Sequence, residues 1–556
     1  MSRPSTPHSR WPTGTTRARR VADAGRPVRI FTAERIIALD GTEPEAFAVR
    51  DGWITATGTL ALLEQQHPDA EQIRLHGALV VPGFNDAHCH VSQAALARAR
   101  LDLTDVDDAD DLRRAVTDRV STLPDGAWVI GHALNDRRLT ADVVNRAFLD
   151  SISRDRPILL IQYSFHRAVA NSAALELMGY GTAADAPAGG ELLTDPDGRL
   201  NGWMFERAWL DQWLPGTGKG TLVDATDLSA QTAALAEVNA ELHAVGITSY
   251  CDAIVTPVEE RLYRAALDAG TLTPRVNMLL WHSYFDPASP PISPADTRLQ
   301  FAGVKMMLDG ALGGGTCLCR QPYPGESDSP NGLQVLGDEQ FTQQLRKVHD
   351  AGLRAAVHAN GDLAISKVLD AIESLTPDPP DAAAGRINHR IEHCSIVDAG
   401  IIDRIKRAGV TPVPFGAFIH FYGHQITEYY GEERAQLTCA HRSMLDAGIA
   451  VAGSSDYPIV PIDPLLALQS MVTRESADGL VVGPGQQLDV LDALGVYTHG
   501  SAAATGEAHL KGRLTPGQLA DFVVLDRDIT VIDSSDIHRT TVRSTWVGGE
   551  CVWSAP

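Results

Sequence analysis

The amino-acid sequence predicts an α/β protein: a (β/α)8 TIM barrel with a long cap insertion, joined to a small β-sandwich built from both termini. Three observations carry this. Eight short apolar runs alternate with helical stretches through the middle of the chain, as parallel βα units do, and eight is the number such a barrel requires. Both ends of the chain are rich in short strands instead. Five of the eight middle strands end in an ionisable residue, at the level where barrels of this kind place their active sites.

The first 29 residues hold seven Arg and one Asp among Pro, Ser and Thr, which reads as a disordered basic tail over 1–26. Arg19-Arg20 is no twin-arginine signal, because Val21 to Arg26 supplies no apolar stretch. Short strands are expected at Val28–Phe31, Ile36–Leu39 and Ala46–Val49, then at Trp53–Gly58 after the hairpin turn Asp51-Gly52. Ala520–Leu525, Val542–Val547 and Glu550–Trp553 repeat that style, so 27–80 and 505–556 are expected to meet in one composite sandwich. Residues 81–504 make the barrel. Its strands are expected from Leu79 into Ala87, at Gly246–Asp252, Val276–Trp281, Val304–Met307, Ala355–His358, His389–His393, Thr411–Pro414 and Ile449–Ser454. The stretch from about 92 to 241 is too long for one crossover helix and is expected to sit over the catalytic face as a cap.

The bulk numbers exclude some partners. A chain of 556 residues, 44% hydrophobic and 21% charged, is globular. Its net charge of -23 argues against nucleic acid or an anionic membrane as partner, and no run approaches the ~20 apolar residues of a membrane helix. The seven Cys are scattered with no CxxC pair, which suits reduced thiols in the cytoplasm, and Cys317 with Cys319 is not a zinc site. A small-molecule substrate is the partner expected, and homo-oligomerisation is left open.

Strand alternation puts His88 and His90 on one face and Cys89 on the other, so two imidazoles stand close enough to share a metal ion. The fourth strand adds Lys305, the fifth His358, the sixth His393 and the eighth Asp456. Imidazoles with a carboxylate suit zinc or a similar divalent ion. Each residue alone also admits a plainer role: Lys305 on the surface, His393 bonded to a backbone carbonyl, Asp456 as a helix N-cap, His358 packed beside a turn. Six such residues at five strand ends of one barrel make a metal centre the expectation.

Several segments together resemble the amidohydrolase superfamily, in particular its amidohydrolase-3 or YtcJ-like branch, which includes N-substituted formamide deformylase. They are Pro82–His90, Val304–Gly313, Val357–Asp362, Arg390–His393, Gly453–Pro458 and Lys511–Leu525, with Asn171–Leu175 and Pro187–Glu191 in the cap. The resemblance spans roughly Val28 to Trp553. It implies a binuclear centre, with His88, His90 and Asp456 on one ion and His358 and His393 on the other. It also implies that Lys305 is a carboxylated lysine bridging the two, most fittingly zinc ions. Physical logic agrees, because an ammonium has no lone pair for a metal and repels it.

The implied reaction is hydrolysis of a C–N bond in an amide, N-substituted formamide or cyclic amide by a metal-activated hydroxide. Asp456 is the general base that passes the water's proton to the leaving amine, and Asp362 is the next candidate. The same site serves an ester. A heterocycle deaminase is the alternative, but that class uses one metal and a Glu three residues after the fifth-strand His, where this chain has Gly361. A non-catalytic metal-binding regulator is the third reading, and it has against it that all six site residues are present. Substrate contacts are expected from His166 and Glu206 in the cap and from His420, Tyr422 and His424 after strand seven. Trp203 and Trp209 read as core, Asp309 and Gly310 as loop-shaping, and Cys89 as a buried barrel residue.

Overall fold

The computed structural model describes residues 27–98, 100–136, 138–214, 228–323, 331–375 and 387–556, so the basic tail expected over 1–26 lies outside the described residues. Seven parallel strands, hydrogen-bonded in chain order, form the barrel sheet. They are β1 (Phe84–Cys89), β2 (Ile247–Val255), β3 (Arg275–Trp281), β4 (Leu299–Met307), β5 (Ala355–Ala359), β6 (Arg390–His393) and β7 (Thr411–Val413). Every residue of β2 is buried, as expected of a strand with helices on one face and the barrel interior on the other.

The eighth position is filled without a regular strand. The run expected there, Ile449–Ser454, passes between β7 and β1: the Ala452 N–H donates to Pro412 (3.3 Å), and Gly453 accepts from the Ala87 N–H (3.0 Å). The ladder stops because the Gly453 N–H is used by the Val496 carbonyl (3.0 Å), outside the sheet. The barrel is therefore nearly closed.

The apolar run from Leu79 is divided, which corrects its assignment to a single strand. Leu79–Pro82 pairs antiparallel with Phe522–Leu525 in the sandwich, and the chain enters the barrel only after Gly83. A side chain at Gly83 would place its Cβ 2.2 Å from Thr248 Oγ1, so the crossing needs glycine. Two four-stranded sheets face each other here. One holds Trp53–Gly58, Ala46–Arg50, Arg29–Thr32 and Glu71–Arg74; the other holds Glu550–Ser554, Val542–Val547, Phe522–Leu525 and Leu79–Pro82. Phe31 stacks on Phe47 (5.2 Å between centroids), Phe522 stacks on Trp546 (5.4 Å), and Phe47 meets Phe522 edge-on (5.1 Å) between the sheets. Ile36–Leu39 makes one bridge, Ile36 to Val80, and no strand: the Ala38 N–H donates to the Thr42 carbonyl (3.3 Å) and the Ala38 carbonyl accepts from Leu514 (3.0 Å).

Above the barrel a six-stranded sheet runs, in spatial order, Gly190–Thr194, Leu200–Glu206, Arg167–Ala170, Ile158–Gln162, Val129–Leu134 and Leu101–Asp102. The span of about 92 to 241 expected for the cap also takes in two helices of the barrel, Val91–Ala97 and Leu228–Ala244. Their Val91, Ala94, Leu235, Val238 and Leu242 join the main core. Trp203 and Trp209 are buried, and their indole N–H groups donate to the carbonyls of Val144 (2.7 Å) and Phe165 (2.9 Å). No helix among the described residues is long and apolar enough to cross a membrane.

Candidate metal centre

Parallel pairing brings the strand ends to one level. Trp281 of β3 pairs with Lys305 of β4, Met307 with His358 of β5, and Ala359 with His393 of β6. The side chains of His88, His90, Lys305, His358, His393 and Asp456 all line one pocket there. His88, His393 and Asp456 each offer a ligand atom within 4.8 Å of the other two. His90 Nε2 stands 3.2 Å from Asp456 Oδ1, and Lys305 Nζ stands 3.4 Å from His88 Nε2. Cys89 points away, buried against the Cys251 carbonyl (3.5 Å).

Alternation alone does not explain His393. Along β6 it is Glu392, its neighbour, whose side chain reaches inward to His88. Left-handed backbone at His393 (φ 66°) and Cys394 (φ 42°) ends the strand and re-aims the His393 ring, whose centroid comes 4.0 Å from that of His358. Asp456 (φ 68°), Phe165 (φ 62°) and Glu206 (φ 46°) are left-handed too. Such conformations cost about 1–3 kcal/mol each in non-glycine residues and collect at functional sites.

The ring nitrogens show which atoms remain for a cation. His88 Nδ1–H donates to Glu392 Oε2 (2.5 Å), so its Nε2 faces Asp456 Oδ1 at 3.5 Å. His358 Nε2–H donates to the Gly310 carbonyl (3.1 Å), which leaves its Nδ1. The Nδ1 atoms of His90 and His393 are buried without a hydrogen-bond partner. Burial pushes His88, His358 and His393 well below the ordinary imidazole range, keeping them neutral, the form that binds metal. Burial also lowers the Lys305 ammonium to about 8. Neutral imidazoles with unused lone pairs beside a carboxylate fit a divalent ion.

Glu392 and Arg390 are among the residues that the sequence pattern did not single out. Arg390 grips Glu392 through Nε (2.7 Å) and Nη2 (2.8 Å), and Nη2 also donates to the Ala87 carbonyl (2.7 Å). The chain Arg390–Glu392–His88 fixes the tautomer and angle of the His88 ring. Its signal was present in the sequence: two opposite charges two residues apart in a short buried strand point to one face and must pair.

The cap closes the pocket. Phe165, His166, Leu210 and Trp213 come from it and face Ile254, Met307 and Ile459 across a narrow cavity. His166 Nδ1 is 2.9 Å from both oxygens of Glu206, whose side chain is 0% exposed. Burial pulls the His166 imidazole down, and the Glu206 carboxylate more than offsets it, so the net shift is upward.

His420, Tyr422 and His424, expected as substrate contacts, do not line this pocket. The segment that carries them is the helix Phe418–Ala435 rather than an open loop. His424 points outward, its side chain 72% exposed beside Asp478, while Tyr422 packs edge-on against Phe418 (5.0 Å) and His420 lies against Phe421 (5.1 Å). Asp309 accepts the N–H groups of Leu318, Asn360 and Gly361, each at 2.9 Å, and so shapes the loops around His358. A Cβ at Gly361 would lie 1.9 Å from the Leu318 carbonyl oxygen, so the Glu of the deaminase class cannot be accommodated at that position. Asp362 accepts the Arg320 N–H (2.9 Å) and also stands off the pocket.

Residues 71–553 match the sequence pattern of the amidohydrolase family Amidohydro_3. The chain is 31% identical over 525 residues to the putative amidohydrolase YtcJ of Bacillus subtilis (strain 168), covering 92% of this chain and 97% of that one. It is 29% identical over 528 residues to the N-substituted formamide deformylase of Arthrobacter pascens, covering 91% and 94%. The crystal structure of an uncharacterised metal-dependent hydrolase from Pyrococcus horikoshii superposes with a TM-score of 0.73 at 24% identity, over 91% of this chain and 99% of that one, and shares the fold.

Proposed function

This chain belongs to the amidohydrolase family and is a hydrolase acting on carbon–nitrogen bonds, and from that premise we propose metal-dependent hydrolysis of uncharged N-substituted amides, formamides included. One observation carries the proposal: His88, His393 and Asp456 bring ligand atoms within 4.8 Å of one another in a pocket that also takes His90, Lys305 and His358. Within that cluster His88, His90 and Asp456 would hold one ion, and His358 and the neighbouring His393 a second. Lys305 would serve both ions as a carbamate ligand, formed when its neutral amine adds carbon dioxide and releases a proton. Burial, which lowers Lys305 to about 8, favours that neutral amine. When bound, divalent ions of the zinc type supply Lewis acidity, lowering the pKa of water from about 15.7 to about 7 and polarising a carbonyl.

Asp456 accepts the proton of the attacking water and passes it to the leaving nitrogen, so that amide and water become carboxylic acid and amine. His166, held by Glu206, faces the scissile group from the cap. The apolar wall of Phe165, Leu210, Trp213, Ile254, Met307 and Ile459 receives the nitrogen substituent. Among the described residues lining the pocket there is no Arg, and the single Lys is Lys305 at its floor, so a carboxylate on that substituent finds no Arg or free Lys to pair with, which favours uncharged substituents. The name of one relative, N-substituted formamide deformylase, supports formamides as members of the class. Esters are open to the same chemistry. All seven cysteines are free, which supports a reducing, cytoplasmic setting.

The test is a screen of zinc-loaded protein against N-alkylformamides, N-acyl amines and small lactams. Turnover that disappears with a chelator and returns with metal supports the assignment; turnover indifferent to chelation contradicts it. Lys305→Ala is expected to lose activity and to recover part of it when a small carboxylic acid is added.

A further inference from the structure

Gln93 lines the same pocket and carries a polar atom that nothing in the fold uses. It sits in the first turn of the helix Val91–Ala97, three residues after His90, which caps that helix, so the two side chains share a face. Its amide nitrogen donates to Glu259 Oε1 at 2.8 Å. Glu259 is itself fixed, because its other oxygen accepts the N–H of Thr256 (2.9 Å) and the Thr256 hydroxyl in a capping box. A carboxylate only accepts, so the Gln93 amide cannot turn over without setting oxygen against oxygen. Its Oε1 is thereby directed away from Glu259. That oxygen is buried without a hydrogen-bond partner, in a residue 1% exposed. Buried acceptors of this kind are few, and each left empty costs about 1–3 kcal/mol unless a ligand or water meets it.

We propose that Gln93 Oε1 accepts the N–H of the scissile amide, so that the enzyme takes N-monosubstituted amides and refuses N,N-disubstituted ones. The chemistry favours this assignment. A secondary amide offers one N–H donor; Ser164 and His166, the polar lining residues from the cap, are already bonded to Gln162 and Glu206, and Phe165, Leu210, Trp213, Ile254, Met307 and Ile459 offer its substituent only apolar contact. Methylating the nitrogen removes the donor and leaves Gln93 unpaired, the situation in which polar sites discriminate most strongly. The inference rests on the amide-hydrolase assignment and deepens it by naming which amides.

The experiment compares binding and turnover of N-(2-phenylethyl)formamide and its N-methyl counterpart by the metal-loaded protein. The wild type is expected to bind the secondary amide about 10–100-fold more tightly. Gln93→Met is expected to bring the two within about threefold by weakening the secondary amide alone, with metal content and melting temperature held. Glu259→Gln, which lets the Gln93 amide adopt either orientation, is expected to lower the preference partway. Comparable binding of both amides by the wild type, or no binding of the secondary amide at millimolar concentration, overturns the proposal. So does a preference that survives in Gln93→Met, since that outcome means steric exclusion. A preference that depends on Gln93, without hydrolysis of either amide, leaves the role of Gln93 standing and defeats the proposed class of amide substrates. Equal hydrolysis of both amides does the reverse.

Discussion

The two ends of the barrel both bury charge, and they use it differently. At the foot, Arg275 meets Asp521 through Nε (2.6 Å) and Nη2 (2.9 Å) while its Nη1 donates to Thr297 (2.8 Å). Lys511 pairs with Glu507 (2.7 Å) and donates to Ser249, and the same carboxylate accepts the Asn277 amide (2.7 Å). This network fastens the segment from Glu507 to Asp521 onto β2 and β3 and leaves none of its charges unpaired. At the mouth, the Nδ1 atoms of His90 and His393 and the Oε1 of Gln93 are equally buried but have no hydrogen-bond partner. Charge and burial are common to both ends; the charges named at the foot satisfy one another, whereas the ring nitrogens at the mouth stand unpartnered beside a carboxylate. Convergence of those nitrogens with Asp456 and Lys305 on one pocket, rather than an unpartnered atom by itself, separates a site from a scaffold.

Substitutions sharpen the contrast. The largest effect is expected from Asp456→Asn, which keeps the shape but cannot take a proton: kcat falls roughly 10²–10⁴-fold while metal content and melting temperature hold. Near-normal turnover with full metal occupancy means the base lies elsewhere. At the foot the pattern inverts. Asp521→Ala strands Arg275 in a buried position and is expected to cost about 3–5 kcal/mol in denaturant unfolding, with kcat per folded molecule unchanged. Loss of turnover without loss of stability would place the foot in the chemistry. Glu392→Gln is expected to weaken metal affinity about 10–100-fold by chelator competition, since it loosens the ring of His88. The smallest change is expected from Glu206→Gln, about 10-fold in kcat/KM with metal retained, because His166 loses a charged partner but keeps its place.

Much of the mouth was legible in the sequence because strand ends are set by local pattern. His88 and His90 share a side because alternation decides it, and Lys305 and His358 follow from where their apolar runs stop. His393 was found from its position, yet the left-handed turn that aims it could not be read from Arg390-Ile391-Glu392-His393. The strand beginning at Leu79 was misjudged because a continuous apolar run carries no mark of the sheet it joins; Gly83 was the only clue. Long-range packing decided the rest. His166 and Glu206 meet across 40 residues of cap, and His420, Tyr422 and His424 turn on a helix whose start at Phe418 has no side-chain cap. Gln93 stayed hidden because its meaning depends on Glu259, 166 residues away.

The central claim is that the buried imidazoles, Lys305 and Asp456 at the mouth exist to bind metal. Elemental analysis of active protein purified without chelators, joined to anomalous diffraction at the metal edge, tests it most directly. One to two equivalents per chain are expected, placed among His88, His90, Lys305, His358, His393 and Asp456. Active protein holding less than about a tenth of an equivalent, or metal bound away from those six residues, would contradict it.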